Sequence, residues 1–269
     1  MALINLHNHS TYSDGTLAPG PLAREAKRAG IAYFSLTDHD TIGGWGEMEP
    51  ALKEAGIKYC YGVEISTRQH DNLHILGYGI DPAHPALAER LAGYRELRLV
   101  RVKKILGLLK GLGIEIPFSE LPLPKNRAAG RPQVADALRA RKLVPGRSQA
   151  FKRYLAPGAP AYVEPSGPTV EEAIRAIKEA GGKAVLAHPG ALGKALDLQA
   201  WKAMGLDGIE AFYPAHTGAA TRDFVSLAAR LGLFVTAGYD FHGPGSERNE
   251  MKGFDYSDDY FSEIKGLFL

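Results

Sequence analysis

Seven short apolar runs in this chain each stop on, or contain, a polar residue able to bind metal, and helical patterns separate them. Leu3–Leu6 runs into His7, and Ala32–Leu36 into Asp38-His39-Asp40. Lys58–Val63 runs into Glu64, Leu73–Tyr78 contains His74, and Ala184–Ala187 runs into His188. Gly208–Phe212 carries Glu210, and Phe234–Gly238 runs into Asp240-Phe241-His242. Helical periodicity marks Pro19–Ala29, Gly46–Ala55, Thr169–Ala180, Lys194–Met204, Ala219–Leu231 and Asp258–Phe268. Gly30, Gly56, Gly181 and Gly232 follow four of these segments, where a helix end favours a left-handed residue. Strands alternating with helices imply parallel β–α units. Seven such strands predict an α/β chain closed, or nearly closed, into a barrel with its chemistry at the C-terminal strand ends.

Residues 81–162 break the alternation. They read as a long basic helix (Pro85–Leu112), a Pro-rich bend ("IPFSELPLPKN"), a helix opening at Arg131-Pro132 and another through Gln149–Leu155. The expected organisation is therefore 1–80 as the first part of the barrel, 81–162 as an inserted basic helical cap, and 163–269 as the second part. Charge follows the same division. Arg90–Arg153 holds 16 Lys/Arg and 4 Asp/Glu, a net of +12, in a chain whose total is +2. That segregation predicts a surface that gathers a polyanion. One cysteine excludes an internal disulfide and a thiolate zinc cage. No apolar run approaches the roughly 18–20 residues of a membrane span. The N-terminus is polar too early for a secretory signal, so a cytoplasmic location is expected. The sequence carries no RRM-type aromatic signature.

Strand residues two apart share a face, so His7 and His9 point the same way. Asp240 and His242 do the same if the last strand stays extended that far. Cys60, Gly62 and Glu64 share the face expected to turn inward, which aims Glu64 at the same mouth. The set gathered there is His7, His9, Asp14, His39, Glu64, His74, His188, Asp240 and His242. Such a number of nitrogen and oxygen ligands exceeds the four to six positions of one ion. It implies about two to three ions with a carboxylate such as Glu64 between them, an arrangement suited to phosphoryl chemistry. Each residue has a plainer role by itself: His39 could cap a helix, and His74 could be a satisfied core histidine. Their common placement at strand ends is what argues against those roles. His70 and His84 are expected at the surface, and His216 close enough to strand six to line the pocket.

The segments "HNHSTYSDG", "LTDHDT", "GVEIS", "LHILGY", "AHPG" and "GYDFHG" together resemble the PHP (polymerase and histidinol phosphatase) family, in order and over nearly the whole chain. The resemblance implies a distorted seven-stranded β/α barrel holding three metal ions. His7, His9, Glu64 and Asp240 would hold the first, Glu64, His74 and His188 the second, and Asp14, His39 and His242 the third. Some family members have His where this chain has Asp14, which makes the site harder and favours manganese or iron as much as zinc, with manganese preferred. The insert sequences "AAGRPQVADALRARKLV" and "AFKRYLAPGAPAYVEP" resemble a stand-alone subfamily. That subfamily acts on nucleoside 3′,5′-bisphosphates such as pAp, and some members trim 5′-phosphorylated RNA from the 5′ end.

The implied reaction is in-line attack on phosphorus by a metal-bridging hydroxide. Arg131 at a helix opening would grip the 5′-phosphate, and His39 or His216 would protonate the leaving oxygen. A nucleotide or short RNA is the expected partner, with no membrane and no stable protein partner implied. Histidinol-phosphate phosphatase is the alternative within the same chemistry, and a catalytically silent PHP scaffold is the alternative outside it.

Overall fold

The computed structural model describes residues 2–123 and 128–269, so residues 124–126 of the Pro-rich bend lie outside the described residues. The first half runs β1 (Leu3–Asn5), α1 (Pro19–Arg28), β2 (Ile31–Phe34), α2 (Trp45–Ala55), β3 (Lys58–Tyr59), β4 (Gly62–Ser66) and β5 (His74–Tyr78). The inserted region holds α3 (Pro85–Gly111), α4 (Arg131–Ala140) and the short α5 (Arg147–Ala150). The second half runs α6 (Val170–Glu179), β6 (Lys183–Leu186), α7 (Leu198–Ala203), β7 (Gly208–Phe212), α8 (Gly218–Leu231), β8 (Phe234–Ala237), β9 (Phe254–Asp255) and α9 (Asp258–Ile264). Among the described residues no helix is long and apolar enough to cross a membrane.

The expected strands form two open, mixed ladders. One has the order β3-β2-β1-β9 and the other β4-β5-β6-β7-β8. The expectation of uniformly parallel strands fails at two places. β5 runs antiparallel to both β4 and β6, because only the short turn at residues 67–73 separates it from β4. The two-residue β9, antiparallel to β1, is too short to give a sequence pattern. The run expected as one third strand is split into β3 and β4, which lie in different ladders. Backbone hydrogen bonds join the ladders at two seams. Leu6 N–H donates to Ala237 O (3.0 Å) and His9 N–H to Phe241 O (2.8 Å) at one; Asp40 N–H donates to Glu64 O (2.9 Å) and Glu64 N–H to Asp38 O (3.3 Å) at the other.

Local chemistry explains the helices. Thr169 and Glu172 close a capping box at the start of α6. Its buried Val170, Ala173, Ile174 and Ile177 recur at helical spacing, and Ile177 packs so tightly over Gly77 that a Cβ there would lie 2.9 Å from it. Burying each such isoleucine contributes roughly 1.5–3 kcal/mol. Gly56 (φ 71°) and Gly232 (φ 61°) end α2 and α8 in the left-handed conformation that side chains disfavour.

The helix α3 belongs to two cores. Leu87 and Leu91 join the main cluster around β4–β8, whereas Val102, Ile105, Leu106 and Leu109 join a second cluster with Val134, Ala135 and Leu138 of α4 and with Leu155. Arginines on α3 tie this region to the strand ends. Arg98 donates from Nη1 to Asp40 Oδ2 (2.9 Å) and Ser66 Oγ (2.7 Å), and from Nε to Ala129 O (2.6 Å). Gln133 of α4 donates to Ser13 O (2.9 Å), in the loop that follows His9.

Cys60 is fully buried, and burial pushes its thiol pKa up to about 12. A thiol-reactive dye should leave the native protein unlabelled and react after denaturation; prompt labelling of the native protein would contradict the packing at this seam.

Candidate metal centre

Glu64 lies mid-strand in β4, fully enclosed, and five imidazoles surround its carboxylate. Its Oε2 lies 3.3 Å from His7 Nε2, 3.1 Å from His9 Nε2 and 3.1 Å from His39 Nδ1. Its Oε1 lies 2.8 Å from His74 Nδ1 and 3.2 Å from His188 Nε2. Asp240 Oδ1 faces His7 Nε2 (3.4 Å) and His9 Nε2 (3.1 Å) from the other side. Asp14 returns from the loop after β1 to within 3.2 Å of His242 Nε2 and 3.8 Å of His39 Nε2.

The backbone reaches this arrangement by turning sharply. The last strand does not extend to His242: it stops at Ala237, and Asp240 has φ 51°. Asp40 (φ 51°) lies in the segment after β2, and His188 (φ 29°) just past β6. Positive φ at non-glycine residues is costly, and such strain concentrates at functional sites. Gly238 has a different role. A Cβ there would stand 2.3 Å from His7 Cβ and 2.4 Å from Glu210 Oε1, so no side chain fits between them.

Three groups could hold a cation, each with ligand atoms within 4.8 Å of one another: His7, His9, Glu64 and Asp240; His9, Asp14, His39 and His242; and His39, Glu64 and His74. In the first group, His7 Nε2, His9 Nε2, Glu64 Oε2 and Asp240 Oδ1 are all buried and none makes a hydrogen bond. Buried polar atoms without partners are rare because each forfeits its hydration. Four of them facing one another at 3.1–3.4 Å fit a shared divalent ion. His188 stands outside these groups but touches Glu64, and its Nδ1 is also buried without a partner.

Neighbouring residues fix the ligands. Glu210 Oε1 pairs with His7 Nδ1 (3.0 Å), and Glu210 Oε2 accepts the His188 backbone N–H (2.8 Å). Asp240 Oδ2 accepts from Arg248 (2.5 Å) and from the Tyr213 hydroxyl (3.1 Å), which leaves Oδ1 directed at the histidines. Asp38 accepts from Ser10 Oγ and Ser13 Oγ, both at 2.6 Å, and so holds the loop that carries Asp14. Contacts of this kind hold the donor atoms of a metal site in place. Burial opposes charge on Glu64, Asp14 and Asp240, yet neighbouring cations hold all three carboxyls well below the ordinary range. Burial also opposes charge on His7 and His9, but the surrounding carboxylates raise both, His9 to about 10. For His39, burial prevails and lowers it. The cluster thus carries strong, mutually dependent charge in a dry site.

All nine expected ligands converge here. The other expected residues divide. His39 and Arg131 line a cavity of about 340 Å³ beside the cluster. His216 does not. Its Nδ1 pairs with Ala211 O (2.9 Å), its Nε2 accepts the Gly190 N–H (3.1 Å), and its ring packs on Phe224. With both nitrogens bound to main chain, it is a turn-stabilising histidine without a free site for proton transfer. Sequence reasoning passed over Arg98, Arg101, Arg147 and Arg248, which also line the cavity. The charge count over residues 90–153 contained three of them without distinguishing them from their neighbours. Arg248 lies beyond that segment, and nothing in the sequence signalled it.

Fold and site together define an α/β protein with buried histidine–carboxylate groups that could hold metal. The PHP domain model matches residues 5–105. The chain is 37% identical to the 3′,5′-nucleoside bisphosphate phosphatase of Chromobacterium violaceum, over 91% of this chain and 89% of that protein. It is 35% identical to a 5′-3′ exoribonuclease of Haemophilus influenzae, over 89% and 90%. A solved structure described as an amidohydrolase from Chromobacterium violaceum, with bound sulfate and no metal, superposes with a TM-score of 0.89 at 34% identity, covering 100% of this chain and 98% of that one. This chain belongs to the PHP family.

Two outcomes follow from the cluster. A chelator should lower the melting temperature by at least about 5 °C, and manganese should restore it, since a bound ion stabilises only the folded state; an unchanged melting point would argue against metal here. Gly238→Ala should cost about 1–3 kcal/mol and reduce bound metal measured by elemental analysis, by displacing His7; full metal retention would contradict the role given to that glycine.

Proposed function

We propose that this chain is a metal-dependent phosphoesterase that hydrolyses nucleoside 3′,5′-bisphosphates to the 5′-monophosphate and phosphate, and trims 5′-phosphorylated RNA from its 5′ end. One observation carries the reading. A single cavity is lined both by Asp14, His39, His74 and His242 and by five arginines, Arg98, Arg101, Arg131, Arg147 and Arg248. Such a cavity suits a substrate with two separated phosphates, one at the cluster and one held by guanidinium groups. The names of the two bacterial relatives agree with that substrate class.

His7, His9, Glu64 and Asp240 would hold one ion, Asp14, His39 and His242 another, and Glu64, His74 and His188 a further one. Carboxylate-rich coordination favours manganese or iron alongside zinc, and we favour manganese. When bound, such ions activate water and neutralise charge on phosphate oxygens. The chain's own residues do the positioning. Arg131 opens α4, spends Nη1 on Asp71 (2.9 Å) and Leu155 O (3.2 Å), and stacks on Phe151. Among the described residues its Nε and Nη2 make no hydrogen bond, which leaves two donor nitrogens for a 5′-phosphate. Arg101 shares Asp71 with it, at 2.7 Å. Anchoring the remote phosphate converts binding energy into alignment at the reacting phosphorus. Of the two histidines expected to serve the leaving oxygen, His39 is the one that faces the cavity.

The same reading treats the two ladders as one distorted ring of seven strands, β8-β1-β2-β4-β5-β6-β7, with 81–162 as the inserted cap. The two seams and the separate apolar cluster of the insert support it.

Phosphate release from pAp with manganese tests the function, beside a 5′-phosphorylated oligoribonucleotide and histidinol phosphate. Turnover of pAp or of the RNA is expected, and Asp240→Asn should abolish it. Activity on histidinol phosphate alone would overturn the substrate, and no activity with metal bound would favour the scaffold. Arg131→Gln should lower kcat/KM for pAp by about 10- to 100-fold. It should change turnover of a simple aryl phosphate less than about threefold; equal losses would remove Arg131 as the anchor.

A further inference from the structure

A second cavity, of about 370 Å³, lies outside the metal centre and is lined by Arg68, Arg90, Tyr94, Leu97, Gly167, Pro168, Glu172 and Arg175. It adjoins the first. At three separate places consecutive residues face the two spaces. Thr67 lines the first and Arg68 the second; Ser166 lines the first and Gly167 the second; Arg98 lines the first and Leu97 the second. The dividing wall is thin and hydrogen-bonded: Arg68 N–H donates to Pro168 O (2.9 Å), and Ser166 Oγ donates to Leu97 O (3.1 Å). Gly167 makes this closeness possible, since a Cβ there would lie 2.7 Å from Ser66 O.

The second cavity is basic, with three arginines against one glutamate. Glu172 is already engaged, accepting the Thr169 N–H at 2.7 Å in the helix cap. Arg90 pairs with Glu179 (2.6 Å). Among the described residues, Arg68 and Arg175 have no ion-pair partner within 4 Å, and both are exposed. Tyr94, half-buried against the main core, adds an aromatic surface. Exposed arginines without a close ion pair, beside an aromatic ring, are the chemistry that holds a single-stranded nucleic acid backbone.

We propose that the second cavity is a subsite for the phosphodiester backbone of RNA on the 3′ side of the cleaved bond. The proposal rests on the phosphoesterase reading above. A 5′-phosphorylated strand anchored in the first cavity continues over the wall at Ser166 and Leu97, and its next phosphates meet Arg68 and Arg175. A lone nucleoside bisphosphate has no phosphate to place there. The second cavity therefore sets the preference for RNA over a single nucleotide, and the first sets the chemistry.

The test is the binding of 5′-phosphorylated oligoribonucleotides to the manganese-loaded protein, by fluorescence anisotropy, with the first linkage blocked as a phosphorothioate. Wild type is compared with the double variant Arg68→Gln/Arg175→Gln. A hexamer should bind the variant at least about tenfold more weakly. Its salt dependence, as log K against log salt, should become shallower by about 1.4, from roughly 0.7 per lost single-strand phosphate contact. A dinucleotide should bind both proteins within about twofold. Equal hexamer affinity, or equal losses for hexamer and dinucleotide, would overturn the subsite. So would arginine-dependent capture of an acidic peptide in place of the hexamer. If wild type cleaves neither pAp nor unblocked RNA, but the length-dependent loss of binding remains, the subsite stands and the phosphoesterase reading falls.

Discussion

The architecture depends on burying imidazoles and carboxylates together at the ends of strands. Glu64 is the centre of that arrangement: its two oxygens face five histidines carried on or after four strands, β1, β2, β5 and β6. Removing such charge from water is costly unless opposite charge compensates it, and the compensation here is incomplete, because four facing atoms lack hydrogen bonds. The cluster is coherent as a cation site and difficult to explain as packing. Several local features serve it. Asp40, His188 and Asp240 adopt strained backbone conformations, Gly238 yields its side-chain space to His7, and Glu210 fixes two histidine-bearing segments at once.

The inserted helices have their own apolar cluster, yet polar bonds attach them to the strand ends. Arg98 reaches Asp40 next to His39, Arg101 and Arg131 share Asp71, and Gln133 holds the loop before Asp14. The arginine joints place cationic side chains at a cavity whose other wall is the histidine–carboxylate cluster. Conserving charge on Arg131 with lysine would not reproduce this geometry, since a guanidinium can bind Asp71 with one nitrogen and a phosphate with the others.

Much of this was legible in the sequence because the candidate ligands sit where strand patterns end. His7 and His9 follow from two-residue alternation, and Glu64 and His74 from their place within short apolar runs. The helices α3, α4 and α6 are foreshadowed by periodicity and by capping residues such as Thr169. The failures have physical causes. Strand direction is a tertiary property, so the antiparallel β5 leaves no mark in its own sequence. Asp240 reaches the cluster through a left-handed turn that alternation does not describe. His216 looked like a pocket residue because it follows β7 closely, but its ring turns back to bind Ala211 O and Gly190 N–H. Arg248 is far from the cluster in pattern and close in space, carried back by the turn after His242.

On the proposed reading, the partnerless atoms of His7, His9, Glu64 and Asp240 converge on a metal ion, and Glu64 also serves a neighbouring one. An anomalous-scattering map from crystals grown with manganese tests it most directly. Separate peaks are expected at more than one of the three ligand groups, one of them in contact with His7 Nε2 and His9 Nε2. A map with no peak within bonding distance of those two nitrogens would contradict it.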